Sequence, residues 1–372
     1  MVRKTDAVTN RVKEFRLKKG WSQQELSEII DVRRQAVYDI ESGRYLPNTA
    51  IALRLARVFN CRVEDLFVEE SSADSETVHV IEGEETKTAR LALSRVRGRL
   101  VGLPLHGAES VSFGLRPADG LLNPDKKTAS IISSPDRLEK SIILMGCDPA
   151  FEILSNHVSR IAPEARIYCR FASSHRALDG LAEGVTHIAG THLHNTGNAE
   201  SNVIAAEKKL SGMTGLVMGF SIMEEGLMVA KGNPLGIRTV SDLAQPMVRF
   251  INREPGAALR VLLDAHLESA GIDRDAINGY KNVVGSHREG AYRIACNVAD
   301  AALGLRIISE VYGLGFVPIT AVRCDIVVPG DMIAHPTVKI LLDVLQSANL
   351  KREMQTIPGY DGSVVGKVIA EI

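Results

Sequence analysis

Apolar residues at helical spacing open the chain. Beyond Trp21, the residues Leu26, Ile29 and Ile30 share one face of a short segment. Ser22 followed by Glu25 makes a capping box that starts a helix there. Val32, Val37 and Ile40 point one way on a second helix. Asp31 sits at the turn between the two, and Asp is one of the few non-glycine residues that tolerate left-handed backbone. From Arg90, RLALSRVRGRLVGLPL alternates and breaks at Arg97-Gly98, which predicts two strands and a tight turn. From Ser141 the pattern changes again. SIILM, RIYCRFA and VTHIAG are apolar runs of strand length, separated by helical segments that begin at Pro149, near His175 and near 199. Such alternation predicts mostly parallel sheets with helices on their faces.

The 372 residues suffice for two or three domains. The formal net charge of -1 hides an asymmetry: residues 1–62 carry thirteen Lys or Arg against seven Asp or Glu, whereas 63–86 carry nine acids and no Lys or Arg. A basic head suits a polyanion, and the acidic stretch beside it reads as a linker. The five cysteines have no CxxC spacing and read as reduced thiols. No apolar run reaches bilayer length, so a cytoplasmic protein without membrane partners is expected.

On the second helix, Arg33, Arg34, Gln35, Tyr38 and Asp39 fall mostly away from the apolar face. Arg and Gln pair bidentately with guanine and adenine edges, and a helix fits the major groove; taken alone, such a face suits a solvated surface better. Residues Asn10 to Phe67 resemble the Xre/Cro/repressor family of helix-turn-helix domains, through KKGWSQQELS, IESGRYLPN and ALRLARVFNCRVEDLF in that order. The resemblance implies five short helices, double-stranded DNA as partner and a homodimer. It implies a phosphate contact for Gln23, a DNA-facing surface of Arg34, Gln35 and Tyr38, and an internal Arg16–Glu41 pair. Arg33, where the family usually has a small hydroxyl, adds an expected phosphate contact, and Arg44 completes the expected surface.

Ligands in α/β sheets bind where strand ends feed helix N-termini. Four junctions of that kind stand out: Cys147-Asp148-Pro149, Ser173-Ser174, Thr191-His192, and Asn252-Arg253 running to Gly256-Ala257. Backbone N–H groups and hydroxyls gathered there make a neutral cradle for an anion, although each junction alone also suits simple helix capping. The stretch from EEGLMVAKGNPLGIRTV to HLESAGID, with GCDPAFEIL, HIAGTHLHN, ADAALGLRIISEVYGLGFVPI and IPGYD, resembles the cytoplasmic molybdate-binding-like domain related to periplasmic binding proteins. The resemblance covers about 141–362 and implies two α/β lobes around a cleft.

The expected architecture is therefore multi-domain: an all-α helix-turn-helix head at 1–69, an acidic linker at 70–88, a small β-rich module at 89–138 and a two-lobed periplasmic-binding-protein-like body at 139–372. Lobe 1 is expected at about 141–229 and 324–372, lobe 2 at about 230–323, with crossings near Ala230 and Cys324.

For a bound molybdate or tungstate the expected contacts are Cys147, Ser173, Ser174, Thr191, Gly256 and Ala257, flanked by His192 and Asn252, with positive charge from Arg253, His287 and Arg288. Asp148 is awkward, because a carboxylate near a buried dianion is repulsive by several kcal/mol. Three outcomes are open: it caps the helix after Pro149, it bonds to Arg253, or the effector is a small organic molecule such as a pterin precursor. The last alternative leads to an enzyme or carrier of molybdenum-cofactor metabolism, with Asp148, His192, Glu254 and His287 as candidate acids and bases. Their spacing forms no triad. His192 and His194 make an HxH pair with no third ligand nearby, which reads as a metal-free loop. The expectation is a ligand-responsive transcriptional regulator without enzymatic activity, cofactor or protein-bound metal.

Overall fold

The computed structural model describes residues 8–69, 75–81, 89–105, 116–124, 127–195 and 199–372. The chain divides into two compact units, one running through Glu76 with Thr128–Ile132, the other comprising Thr77–Lys127 and Ser133–Ile372.

The head holds five helices: α1 (Val12–Lys18), α2 (Gln23–Ile29), α3 (Arg34–Glu41), α4 (Thr49–Phe59) and α5 (Val63–Leu66). Strand Val8–Asn10 pairs antiparallel with Phe67–Glu69 and closes the two ends on each other. Ser22 Oγ accepts from the Glu25 N–H at 3.2 Å and Glu25 Oε2 accepts from the Ser22 N–H at 2.7 Å, so the capping box is complete. Asp31 makes the turn with φ 54°, in the left-handed region. The core gathers Val12, Leu26, Ile30, Val37, Ile40, Leu55, Phe59 and Leu66. Ile29, expected on the buried face, is 46% exposed. α2 offers that core Leu26 and Ile30, and its side turned to the neighbouring helices is filled by the small Ser27 instead.

In the second unit, Arg90–Val96 and Arg99–Pro104 form a hairpin whose turn residues Arg97 and Gly98 both have positive φ, the geometry of a two-residue type I′ turn. Gly120–Leu122 pairs with the first strand and His79–Val80 with the second. The module therefore begins before residue 89, inside the stretch expected to be linker; 70–74 and 82–88 lie outside the described residues. Ala92, Val96, Val101 and Leu103 share a core with Ile143, Met145, Leu178 and Leu181, so the module packs against the first lobe of the body.

The body is built on one sheet in the order Arg166–Phe171, Ser141–Gly146, Ile188–Thr191, Gly315–Pro329, Gly215–Val229, Ala301–Leu305, Phe250–Arg253, Val283–Val284. The outer pairs on each side are parallel. Gly215–Val229 and Gly315–Pro329 are antiparallel over their full lengths and run through both lobes. The N-terminal part of Gly215–Val229 pairs with Tyr360–Asp361 and Val368–Glu371, and its last residues, from Glu225, pair with Ala301–Leu305. The first crossing thus falls inside the strand, between Met223 and Glu225, rather than near Ala230. A register shift between Glu225 and Gly226 marks it. Gly226 is forced there, because a Cβ would stand 2.1 Å from the Val317 carbonyl oxygen.

Candidate functional site

On the head, α3 buries Val37 and Ile40 and thereby turns Arg34, Gln35 and Tyr38 outward, with Arg33 just before it and Arg44 just after it also exposed. Gln35 Nε2 donates to Asp39 Oδ1 at 3.0 Å, and the Arg44 guanidinium lies 5.5 Å from the Tyr38 ring centroid. Arg16 forks onto Glu41 at 2.6 and 3.0 Å inside the domain. Gln23 also turns inward: its Nε2 donates to Glu41 Oε2 at 2.9 Å, which leaves one amide N–H for any outside contact.

In the body, a cavity between the lobes collects the strand-to-helix junctions. It is lined by Cys147, Ser173, Ser174, His192, Arg253, Gly256, Ala257 and His287 among the expected residues, and by His175, Leu193, Ala258 and Leu259 besides. Three helices start at its wall: Ser174–Glu183, Ala258–Ser269 and His287–Ala295. Ser173 caps the first through its hydroxyl, which accepts from the Arg176 N–H at 3.4 Å. Ala257 offers the second no side-chain acceptor, and among the described residues no side-chain cap closes its first turn. Gly256, at φ 86°, lets the backbone bend in to reach the cavity. The cavity volume open to water is about 20 Å³, where one water needs roughly 10–15 Å³.

Four expected contacts do not line the cavity. Asp148 is buried and turned away: its Oδ1 accepts from the Ala150 N–H at 2.8 Å and the Tyr360 hydroxyl at 2.7 Å, and its Oδ2 from Ser221 Oγ at 2.6 Å. Burial pushes its pKa up and those three donors oppose the rise. Of the three outcomes expected for Asp148, it turns away from the cavity, but it does not cap the helix. That helix begins at Phe151 rather than Pro149, with Ala150 as its N-cap and, among the described residues, no side-chain cap, and the Asp148 carboxylate closes the turn ahead of it. Thr191 is fully buried within its strand, beside Asp325 of the neighbouring strand. Asn252 ties its amide to the Tyr280 carbonyl at 3.2 Å and to the Arg253 N–H at 2.9 Å. Arg288 is half-buried on its helix, away from the cavity wall.

The charge of the cavity wall is set by Arg253. Its Nε and Nη2 make a bidentate pair with Glu254 at 2.9 and 2.8 Å. Its Nη1 lies 3.0 and 3.2 Å from the two ring nitrogens of His287, nearly equidistant, so the guanidinium stacks over the imidazole face. Its Cζ is 5.5 Å from the Phe171 ring of the opposite lobe. Burial, joined by the Arg253 charge, holds the His287 pKa well below that of a free histidine. Burial also lowers that of His192, against the pull of Glu225, and pushes the Cys147 thiol up. The wall is thus largely uncharged apart from the Arg253–Glu254 pair.

Cys147 Sγ lies 2.9 Å from His192 Nδ1 and 3.6 Å from Nε2. Distances this similar put the sulfur against the ring face, off the nitrogen lone pair that a general base would use. Behind His192 stands Glu225, fully buried, with Oε2 2.6 Å from His194 Nε2 and Oε1 3.6 Å from His192 Nε2. Sequence reasoning missed Glu225, although two adjacent acids inside the apolar run GFSIMEEGLMV were a signal. No group of three or more metal-ligating side chains with suitable geometry occurs among the described residues.

The model of the PBP superfamily domain matches residues 155–346, more than half of the chain. The chain belongs to this superfamily. A helix-turn-helix model matches residues 12–66. Among its relatives, the uncharacterized protein YvgK of Bacillus subtilis (strain 168) is 28% identical over 231 residues, covering 62% of this chain and 74% of YvgK. An uncharacterized HTH-type transcriptional regulator of Archaeoglobus fulgidus is 47% identical over 58 residues, covering 16% of this chain and 83% of that protein. A Clostridium pasteurianum protein from the 5' region of a 2Fe-2S ferredoxin gene is 34% identical over 113 residues, covering 30% of this chain and all of that protein. Head and body together make a helix-turn-helix transcriptional regulator with a periplasmic-binding-protein-like ligand-binding domain. No described helix is long and apolar enough to cross a membrane.

Proposed function

We propose that the chain is a one-component, non-enzymatic regulator of the cytoplasm. It reads operator DNA as a homodimer through Arg33, Arg34, Gln35, Tyr38 and Arg44, and takes a small oxyanion, molybdate or tungstate first, as its effector. The observation that supports the effector is the convergence of three helix N-termini with Arg253 and His287 on one cavity. Helix N-termini favour negative charge and present N–H donors without adding a full positive charge. Arg253 brings orientation as well as charge, held between His287, Phe171 and Glu254. Asp148, the carboxylate that would repel a dianion, faces Tyr360 and Ser221 instead.

The cavity has room for little more than a water molecule, so an oxyanion enters only as the lobes part along Gly215–Val229 and Gly315–Pro329 or as side chains withdraw. Helix-turn-helix dimers bind half-sites about 34 Å apart, so a change in how two bodies pair alters the fit of two α3 helices to DNA. A coupling of about 1–3 kcal/mol is enough to switch occupancy. Calorimetry of the full chain with molybdate, tungstate and sulfate tests the effector, with a binding heat for at least one of them expected. Footprinting on the promoter of its own gene, with and without the binding anion, tests the coupling. No heat from any of the three removes the oxyanion, and unchanged footprints remove the switch.

A further inference from the structure

Gly215–Val229 carries a carboxylate to the ligand cavity from behind. Glu225 Oε2 is bound by His194 at 2.6 Å, whereas its Oε1 is buried without a hydrogen-bond partner among the described residues, 3.6 Å from His192 Nε2. A buried carboxylate oxygen left without a donor is costly. His192 lines the cavity; Ser174 Oγ lies 3.3 Å from its Nδ1, and Cys147 Sγ rests against the ring face. Asp148, His194, Arg253 and Glu225 supply the remaining charges that act on its ring, and His287 faces it from across the cleft.

The two edges of this imidazole have separate demands. Glu225 Oε1 needs an N–H from Nε2, and an anion seated in the cavity needs an N–H from Nδ1. A neutral ring carries one N–H; only the imidazolium carries both. In the empty cleft the second proton is disfavoured, because burial, joined by His194 and Arg253, lowers the affinity of His192 for it. An incoming anion places negative charge on the side opposite Glu225 and reverses that balance.

We infer that an anion entering the cleft is taken up together with one proton, which His192 holds between the anion and Glu225. The inference rests on the anion reading of the cavity. Because Glu225 lies where the strand passes between lobes, the charged Nε2–H···Oε1 bond also ties the hinge strand to the loop bearing His192. Linkage fixes the sign. Affinity is greatest at low pH and falls about tenfold per pH unit between the pKa of the ring in the empty cleft and its higher value in the occupied cleft.

The experiment is calorimetry of the full chain with molybdate near neutral pH, in two buffers of different ionisation enthalpy and equal ionic strength, with tungstate and sulfate as parallel probes. These anions are already deprotonated there, so proton traffic comes from the protein. Expected is a heat difference corresponding to about one proton taken up, absent in both Glu225→Gln and His192→Asn. Buffer-independent heat in the wild-type chain, which needs no variant to fold, overturns the inference and leaves the anion site standing. Undiminished uptake in the two variants overturns it as well. No heat with any of the three probes removes the anion site and this inference together.

Discussion

Replacing Arg16 by methionine takes away the guanidinium that holds Glu41 at 2.6 and 3.0 Å and the Trp21 carbonyl at 2.7 Å. The Glu41 side chain is 3% exposed, and the donor left to it is the Gln23 amide at 2.9 Å. Breaking a buried pair from one side costs about 3–5 kcal/mol, because the surviving charge stays desolvated. A head of roughly 60 residues has a total stability of about 3–9 kcal/mol at ordinary per-residue values, so Arg16→Met should leave it marginal or unfolded. The chain supplies its own probe. Trp21 is the single tryptophan, packed 6.0 Å from the Phe59 ring centroid, so its fluorescence follows the head within the intact protein. In urea titrations the Trp21 midpoint should fall sharply in Arg16→Met and largely recover in Arg16→Met/Glu41→Leu, since apolar replacement of both partners removes the stranded charge. A loss below about 1 kcal/mol in the single variant would put the pair in the class of solvated surface bridges. A double variant no better than the single would assign the loss to packing of the Arg16 stem. Either result refutes the reasoning.

The same probe carries a pH prediction. Burial works against the Glu41 carboxylate, but hydrogen bonds from Arg16 and Gln23 outweigh it and hold its pKa below the usual 4.5. Its contribution is therefore present above that value and lost as pH falls through the lower folded one, and the double variant should show a shallower acid loss in Trp21-monitored melts. Arg34→Ala or Gln35→Ala should each cost about 1–3 kcal/mol on the preferred operator and relax selectivity, whereas Arg33→Ala should weaken all DNA alike, as read by titration against specific and scrambled duplexes. Gly190→Ala would set a Cβ 2.3 Å from Phe151 Cζ; overpacking of this kind costs about 1–3 kcal/mol, to be seen as a lowered body transition in circular dichroism with the Trp21 transition unmoved.

The regulator's local features were legible because they depend on neighbours along the chain. Ser22 and Glu25 close their box within one helical turn, Asp31 adopts the left-handed turn through its own backbone, and Arg97-Gly98 twists the hairpin by φ alone. The strand-to-helix junctions followed from periodicity, and most of them meet at the cavity because a parallel sheet aligns its strand ends on one side.

What periodicity does not carry is the direction of a side chain whose partners are far away in sequence. Asp148 turns from the cavity because Ser221 and Tyr360 wait for it on other strands. Gln23 bends inward to Glu41, eighteen residues on, and Ile29 is left in solvent although its spacing matched the buried face. Glu225 reaches His192 and His194 only because the long central strand crosses between lobes at that residue. Sequence determined where chain ends, caps and junctions occur, since backbone geometry and helix or strand period act over a few residues. Tertiary structure decided which polar groups face the cleft, since a buried donor or acceptor goes where its hydrogen-bond partner is, and that partner can come from any part of the chain.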